Sequence, residues 1–123
     1  MKKSVTLFCA LLCILTISCM HNKKDLSISY NDTGGGFSMN AYFDKNENRK
    51  AESYMNKIIG NKNNISFLNT QSDATFTLDD GTTFYMQKSP GHIQIKIRKD
   101  ENQPDSYYAV RSMCKGLKDV LIK

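Results

Sequence analysis

The run His92-Ile93-Gln94-Ile95-Lys96-Ile97-Arg98 alternates without a fault between branched aliphatic and polar side chains. In an extended strand successive side chains point to opposite faces, so this segment fits a sheet buried on one side only. A helix would scatter the three isoleucines around its circumference. The chain must therefore supply a layer to cover the isoleucine face, while the other face can stay polar.

Other segments share the same period. Leu26-Ser27-Ile28-Ser29-Tyr30 alternates, the cluster Asn31 to Gly36 (NDTGGG) follows, and Phe37, Met39, Ala41 and Phe43 then fall on one face. Two alternating runs joined by Asn, Asp and Gly predict a β-hairpin. Gly34-Gly35-Gly36 is a poor phosphate cradle, because it leads into a strand and not into a helix N-terminus. Ile65 to Leu68, Ala74 to Leu78, Thr82 to Gln87 and His92 to Arg98 read as four further strands. Asp79-Asp80-Gly81 makes a tight turn, and Ser89-Pro90-Gly91-His92 fits a type II turn with Pro at its second position and Gly at its third. Connections this short require antiparallel pairing.

Two segments carry a helical period instead. Asp44 with Glu47 reads as a capping box. Ala51, Tyr54, Met55, Ile58 and Ile59 then recur at helical spacing, and Gly60-Asn61 offers a C-cap. Near the C-terminus Pro104 suits a first helical turn, and Asp105 places negative charge near the helix N-terminus, as the macrodipole favours. Val110, Met113, Cys114, Leu117, Val120 and Leu121 form one apolar stripe. The order ββαββββα predicts an α+β two-layer sandwich: an antiparallel sheet of about six strands with both helices on one face. Residues 26–123 make a single domain.

The remaining residues form a leader. Met1-Lys2-Lys3 is positive, and Val5 to Ile17 is uncharged and rich in Leu, Ile, Val and Phe. That run is shorter than the roughly 20 residues needed to span a bilayer and matches the apolar region of a secretory signal peptide. Thr16-Ile17-Ser18-Cys19 resembles the lipobox of bacterial lipoproteins, with Thr16 where Leu is usual and Leu15 one place earlier. The resemblance covers residues 1–19 only. It implies removal of residues 1–18, lipidation of Cys19 with fatty acyl chains such as palmitate, and a protein held in the bacterial cell envelope, at the outer membrane on its periplasmic or surface side. Residues 19–25 would then be the lipidated cysteine and a short tether, with a reach of at most about 3.5 Å per residue. Several acyl chains together anchor stably, whereas one binds only marginally. Lys23 and Lys24 could meet anionic headgroups or simply keep the tether soluble.

On this reading Cys9 and Cys13 leave with the leader and Cys19 takes the lipid. Cys114 is then the sole thiol of the domain, so no intramolecular disulfide can form. Cleavage leaves 105 of the 123 residues, enough for one domain. Losing Lys2 and Lys3 leaves 15 basic against 12 acidic residues, a net +3. That charge is neither strong nor clustered, which argues against nucleic acid as a partner.

Candidate sites are few. His92 and Cys114 could pair as base and nucleophile, but Cys114 lies in an apolar helical stripe and His92 on the outward phase of its strand. No catalytic residue is assigned. His21 and His92 lack neighbouring ligands, and the Asp79-Asp80-Gly81 and Asn31-Asp32-Thr33-Gly34 turns lack the calcium-loop ladder, so no metal or cofactor is expected. The outward phase of the strands also carries Ser38, Asn40, Thr75, Thr77 and Thr83. Within it Tyr42, Tyr85, His92, Gln94, Lys96 and Arg98 combine aromatic, amide and cationic groups, a composition suited to binding. The expected function is that of a membrane-anchored, non-enzymatic binding or accessory lipoprotein, its partners being the membrane through Cys19 and an envelope protein or glycan. The alternatives are a small inhibitor or enzyme acting on cell-wall material, for which the Asn31 to Gly36 loop could serve, or a structural component of an envelope assembly.

Overall fold

The alternating runs meet in one sheet, and both helices pack behind it. A computed structural model describes residues 26–122; the leader (1–18), Cys19, the tether with His21, Lys23 and Lys24, and Lys123 lie outside the described residues. Strands β1 (Ser27–Asp32), β2 (Gly36–Tyr42), β3 (Ser72–Thr77), β4 (Thr83–Ser89) and β5 (His92–Arg98) form an antiparallel sheet in the order β1-β2-β5-β4-β3. Helices α1 (Asn48–Met55) and α2 (Pro104–Ile122) complete the α+β sandwich.

The central strand is the one with the cleanest alternation. β5 pairs with β2 on one side and β4 on the other, with Ile95 opposite both Met39 and Met86. Ile93, Ile95 and Ile97 are buried with Phe37, Met39, Ala41, Phe84 and Met86 from the flanking strands. Ala51 and Met55 close the core from α1, Ile59 from the turn that follows it, and Tyr107, Val110, Met113, Cys114, Leu117 and Leu121 from α2. Each fully buried aliphatic or aromatic side chain contributes about 1.5–3 kcal/mol.

The β4–β5 turn has the geometry its sequence requires. Gly91 sits at φ 80°, the value of the third position of a type II turn. Its carbonyl accepts from the Phe43 N–H at 2.9 Å, and its N–H donates to Asn48 Oδ1 at 3.3 Å, fastening the start of α1 to this turn.

Three local expectations need correction. First, Ile65 to Leu68 is not a strand. Asn64 and Asn69, on either side of it, adopt left-handed backbone (φ 57° and 55°), and its amides are claimed elsewhere. Ile65 N–H donates to the Gly60 carbonyl (3.0 Å), Phe67 N–H to Asn56 Oδ1 (2.7 Å) and Leu68 N–H to Ser66 Oγ (3.2 Å). Only Phe67 is buried, so this segment is a plug beneath α1, and the sheet has five strands.

Second, Gly60 is not the C-cap of α1. The helix continues through a π-helical turn (Asn56–Gly60) and a 3-10 turn (Asn61–Asn63), and ends at left-handed Asn64. Gly60 is needed for a close approach instead: a Cβ there would stand 2.7 Å from the Ile65 carbonyl oxygen. Third, Asp44 does cap, accepting from the Asn46 N–H at 2.8 Å, but it opens a 3-10 turn. Glu47 turns to Lys50 at 2.7 Å.

The core also holds a charge pair. Lys88, two residues beyond Met86 on the inward phase of β4, meets Glu52 of α1, and both side chains are almost wholly buried. The Lys88 ammonium donates to Glu52 Oε2 and to the Thr70 carbonyl, each at 2.5 Å. Glu52 also accepts from Asn48 Nδ2 at 3.0 Å and from the Asn69 N–H at 3.1 Å. A buried ion pair offsets its desolvation only when its remaining valences are filled in this way. The pair ties α1, β4 and the 65–70 plug together.

Candidate functional site

Because both helices pack on the isoleucine face, the opposite face of the sheet is uncovered among the described residues. Strand register arranges its side chains in rows. Asn31, Ser38, Lys96, Tyr85 and Thr75 lie side by side across all five strands. The next row is Ser29, Asn40, Gln94, Gln87 and Asp73, followed by Ser27, Tyr42, His92 and Ser89. All six residues singled out from the alternation, Tyr42, Tyr85, His92, Gln94, Lys96 and Arg98, therefore fall on this one face.

Two clusters stand out in it. At one end the Tyr42 and His92 rings stack at 4.3 Å between centroids and 10° between planes. His92 Nε2 lies 2.8 Å from Asn40 Oδ1, which fixes the imidazole parallel to the phenol. Tyr42 is half exposed, so one face of the stacked pair is open. At the other end the Tyr85 hydroxyl donates to Asp73 Oδ1 at 2.6 Å. That hydrogen bond raises the phenol's pKa and keeps it protonated. Lys96 Nζ stands 5.8 Å from the centre of the Tyr85 ring.

Arg98 spans Asp100 (3.0 and 2.7 Å) and reaches Glu101 (3.4 Å). These hydrogen bonds hold the Asp100 carboxyl below the usual carboxylate range. Thr75, Thr83, Tyr85, Lys96, Arg98 and Glu101 border a depression of about 400 Å³. Lys96 is the cation of this face with no carboxylate partner among the described residues.

The face thus offers amide donors and acceptors, hydroxyls, one free ammonium and two flat ring systems on a rigid sheet. Such a surface can hydrogen-bond and stack on a polar partner. Scans against protein-family models, curated proteins and solved structures return no match to this chain.

The other candidate chemistry is dispersed. Cys114 is buried in α2 beneath the sheet, and burial pushes its thiol up to about 12. His92 lies on the opposite face, so the sheet separates nucleophile from base. No three His, Cys, Asp or Glu side chains converge as a metal site among the described residues. In the Asp79-Asp80-Gly81 turn Asp80 Oδ1 is taken by the Thr82 hydroxyl (2.6 Å) and N–H (3.0 Å), which lower its pKa. Among the described residues no helix is long and apolar enough to cross a membrane.

Sequence reasoning missed Lys88 and Glu52. The signal was present: Lys88 continues the Phe84, Met86 phase, and Glu52 lies beside Ala51 on the buried side of α1. It also missed Tyr107, which extends the α2 stripe three residues before Val110 and is buried.

Proposed function

We propose that this protein is a lipid-anchored module of the bacterial cell envelope that binds a polar partner, a glycan or a protein surface, through the uncovered face of its sheet. The observation carrying the reading is the register that gathers Tyr42, His92, Gln94, Lys96, Arg98 and Tyr85 onto one face that no other described residues cover. The anchor rests on the leader and on Cys19. A tether of residues 20–25 would reach about 20 Å. It joins the sheet at the start of β1, where Ser27 pairs with Tyr42 and Tyr42 with His92. On this reading the stacked rings lie near the membrane, and Lys96 and Arg98 face away from it.

The test has two arms. Intact-mass measurement of native material should give a chain beginning at Cys19 and carrying acyl chains; a retained leader, or an unlipidated start elsewhere, overturns the anchor. For the face, the native chain and a Tyr42→Ala/Lys96→Glu variant are compared for co-sedimentation with purified envelope glycan and for photocrosslinking in intact envelopes. Both altered side chains are exposed, so the melting temperature should hold. Specific binding by the native chain that falls at least tenfold in the variant supports the face. Equal binding by both overturns it.

A further inference from the structure

The buried Lys88–Glu52 pair has a third member. Asn48 and Glu52 stand one turn apart on α1, so their side chains share a face. Glu52 holds both neighbours on a single oxygen: Oε2 accepts from Lys88 Nζ at 2.5 Å and from Asn48 Nδ2 at 3.0 Å. The amine and the amide are thus neighbours across one atom. The other end of the amide is also held, Asn48 Oδ1 accepting from the Gly91 N–H at 3.3 Å. Lys88 and Glu52 are each 1% exposed, and Asn48 is partly buried.

A structural ion pair needs only its two charges. Here an amine, a primary amide, a carboxylate touching both and an N–H on the amide carbonyl converge in a dry site. These are the parts of an aminolysis: nucleophile, electrophile, proton carrier and oxyanion donor. Groups held together by a fold react as if at effective concentrations of about 10⁵ M or more once they reach attack geometry. The Thr70 carbonyl, accepting from the same Nζ, limits how far the amine can swing away.

We propose that Lys88 and Asn48 become joined by an amide bond between Nζ and Cγ, formed once per chain after folding and assisted by Glu52. Glu52 first takes a proton from the Lys88 ammonium, which leaves a neutral amine and a neutral acid. Low-dielectric surroundings tolerate two neutral groups better than two ions. The Nζ lone pair then attacks Asn48 Cγ, and the carbonyl electrons move onto Oδ1, where the Gly91 N–H donates to the developing charge. Glu52 hands its proton to Nδ2 and takes one from Nζ. The Cγ–Nδ2 bond breaks, ammonia leaves and the carbonyl re-forms. The product keeps one N–H on Nζ and a protonated Glu52, so the site ends without a buried charge. The bond ties α1 to β4 and closes the chain between residues 48 and 88 into a loop, restricting the unfolded state as a disulfide does. Cys114, the free thiol among the described residues, supplies no such link. The proposal uses no residue of the sheet face and stands apart from that reading.

The test is peptide mapping by mass spectrometry of the native full chain, reduced and denatured after purification. A branched peptide joining the segments around Asn48 and Lys88 is expected, lighter than the two together by one molecule of ammonia. Trypsin should leave the Lys88–Ser89 bond uncut, because Lys88 no longer carries a charge. Asn48→Ala, altered at a partly buried side chain and checked for folding by circular dichroism, should give two linear peptides and cleavage after Lys88. It should also migrate more slowly than the native chain on a denaturing gel, having no internal loop. Glu52→Gln keeps the site's shape but carries no proton, and its folded fraction should stay unlinked. If that variant does not fold, native chain and Asn48→Ala still decide the bond. Linear peptides from the native chain, a link that persists in Asn48→Ala, or loss of water in place of ammonia, which would join Lys88 to Glu52, overturns the proposal. A fully linked Glu52→Gln chain overturns the role given to Glu52.

Discussion

Replacing Lys88 by Met tests whether the fold depends on the buried charge pair. The Lys88 side chain is 0% exposed and that of Glu52 2%. Losing the ammonium leaves the Glu52 carboxylate with only Asn48 Nδ2 and the Asn69 N–H, and deprives the Thr70 carbonyl of its lysine donor. Breaking a buried pair from one side costs about 3–5 kcal/mol. Small domains have about 5–15 kcal/mol in total, so Lys88→Met should remove about a fifth or more. At about 4–8 °C per kcal/mol, the melting temperature should fall by about 12–40 °C. The double variant Glu52→Met/Lys88→Met removes both charges while keeping apolar volume. It should recover part of the loss, because replacing a whole buried pair is often neutral or stabilising. Full recovery is opposed by the stranded Thr70 carbonyl and Asn69 N–H, at about 1–3 kcal/mol each. Urea titrations of the wild type, both single variants and the double complete the cycle, with an expected coupling of about 3 kcal/mol. A single variant within about 1 kcal/mol of wild type, or a double variant no more stable than Lys88→Met, would refute the account of how α1 is held to β4.

Gly91→Ala should destabilise by about 1–2 kcal/mol or more, since Gly91 is left-handed and a Cβ would stand 2.8 Å from the Phe43 carbonyl oxygen; an unchanged urea midpoint would contradict the turn geometry. Cys114, its thiol pushed up to about 12 by burial, should resist a disulfide reagent at pH 8 in the native state and react at once in denaturant. Fast native labelling would place it at the surface. The Arg111 hydrogen bonds hold the Asp32 carboxyl below its ordinary range. The resulting stability is therefore present above the unfolded carboxylate pKa and is lost as pH falls through the lower folded value. Wild type and Asp32→Asn should differ at pH 6 and converge as pH falls from about 4 towards 2. A gap that persists under acid would exclude this ion pair as its source.

The α+β class, the antiparallel pairing, the two helices and the polar face were legible because each rests on local periodicity. His92 to Arg98 can bury its isoleucines in only one way, and a one-residue shift would turn every side chain over. Phe37, Met39 and Ala41 likewise declare their face. The Ile65 to Leu68 segment misleads because a run of four residues is weak evidence, and its backbone partners, Asn56 and Gly60, come from the π-helical turn that follows α1. Lys88 and Glu52 follow the buried phases but carry charge, so only a partner 36 residues away makes their burial tolerable.

By itself the sequence determined which residues turn inward and where most of the chain reverses, because these depend on spacing between near neighbours. Tertiary structure decided which strand lies at the centre, which polar side chains share a row, and that Lys88 and Asn48 meet on one carboxylate oxygen. Those facts depend on contacts between segments far apart in the chain, where geometry rather than composition selects the neighbour.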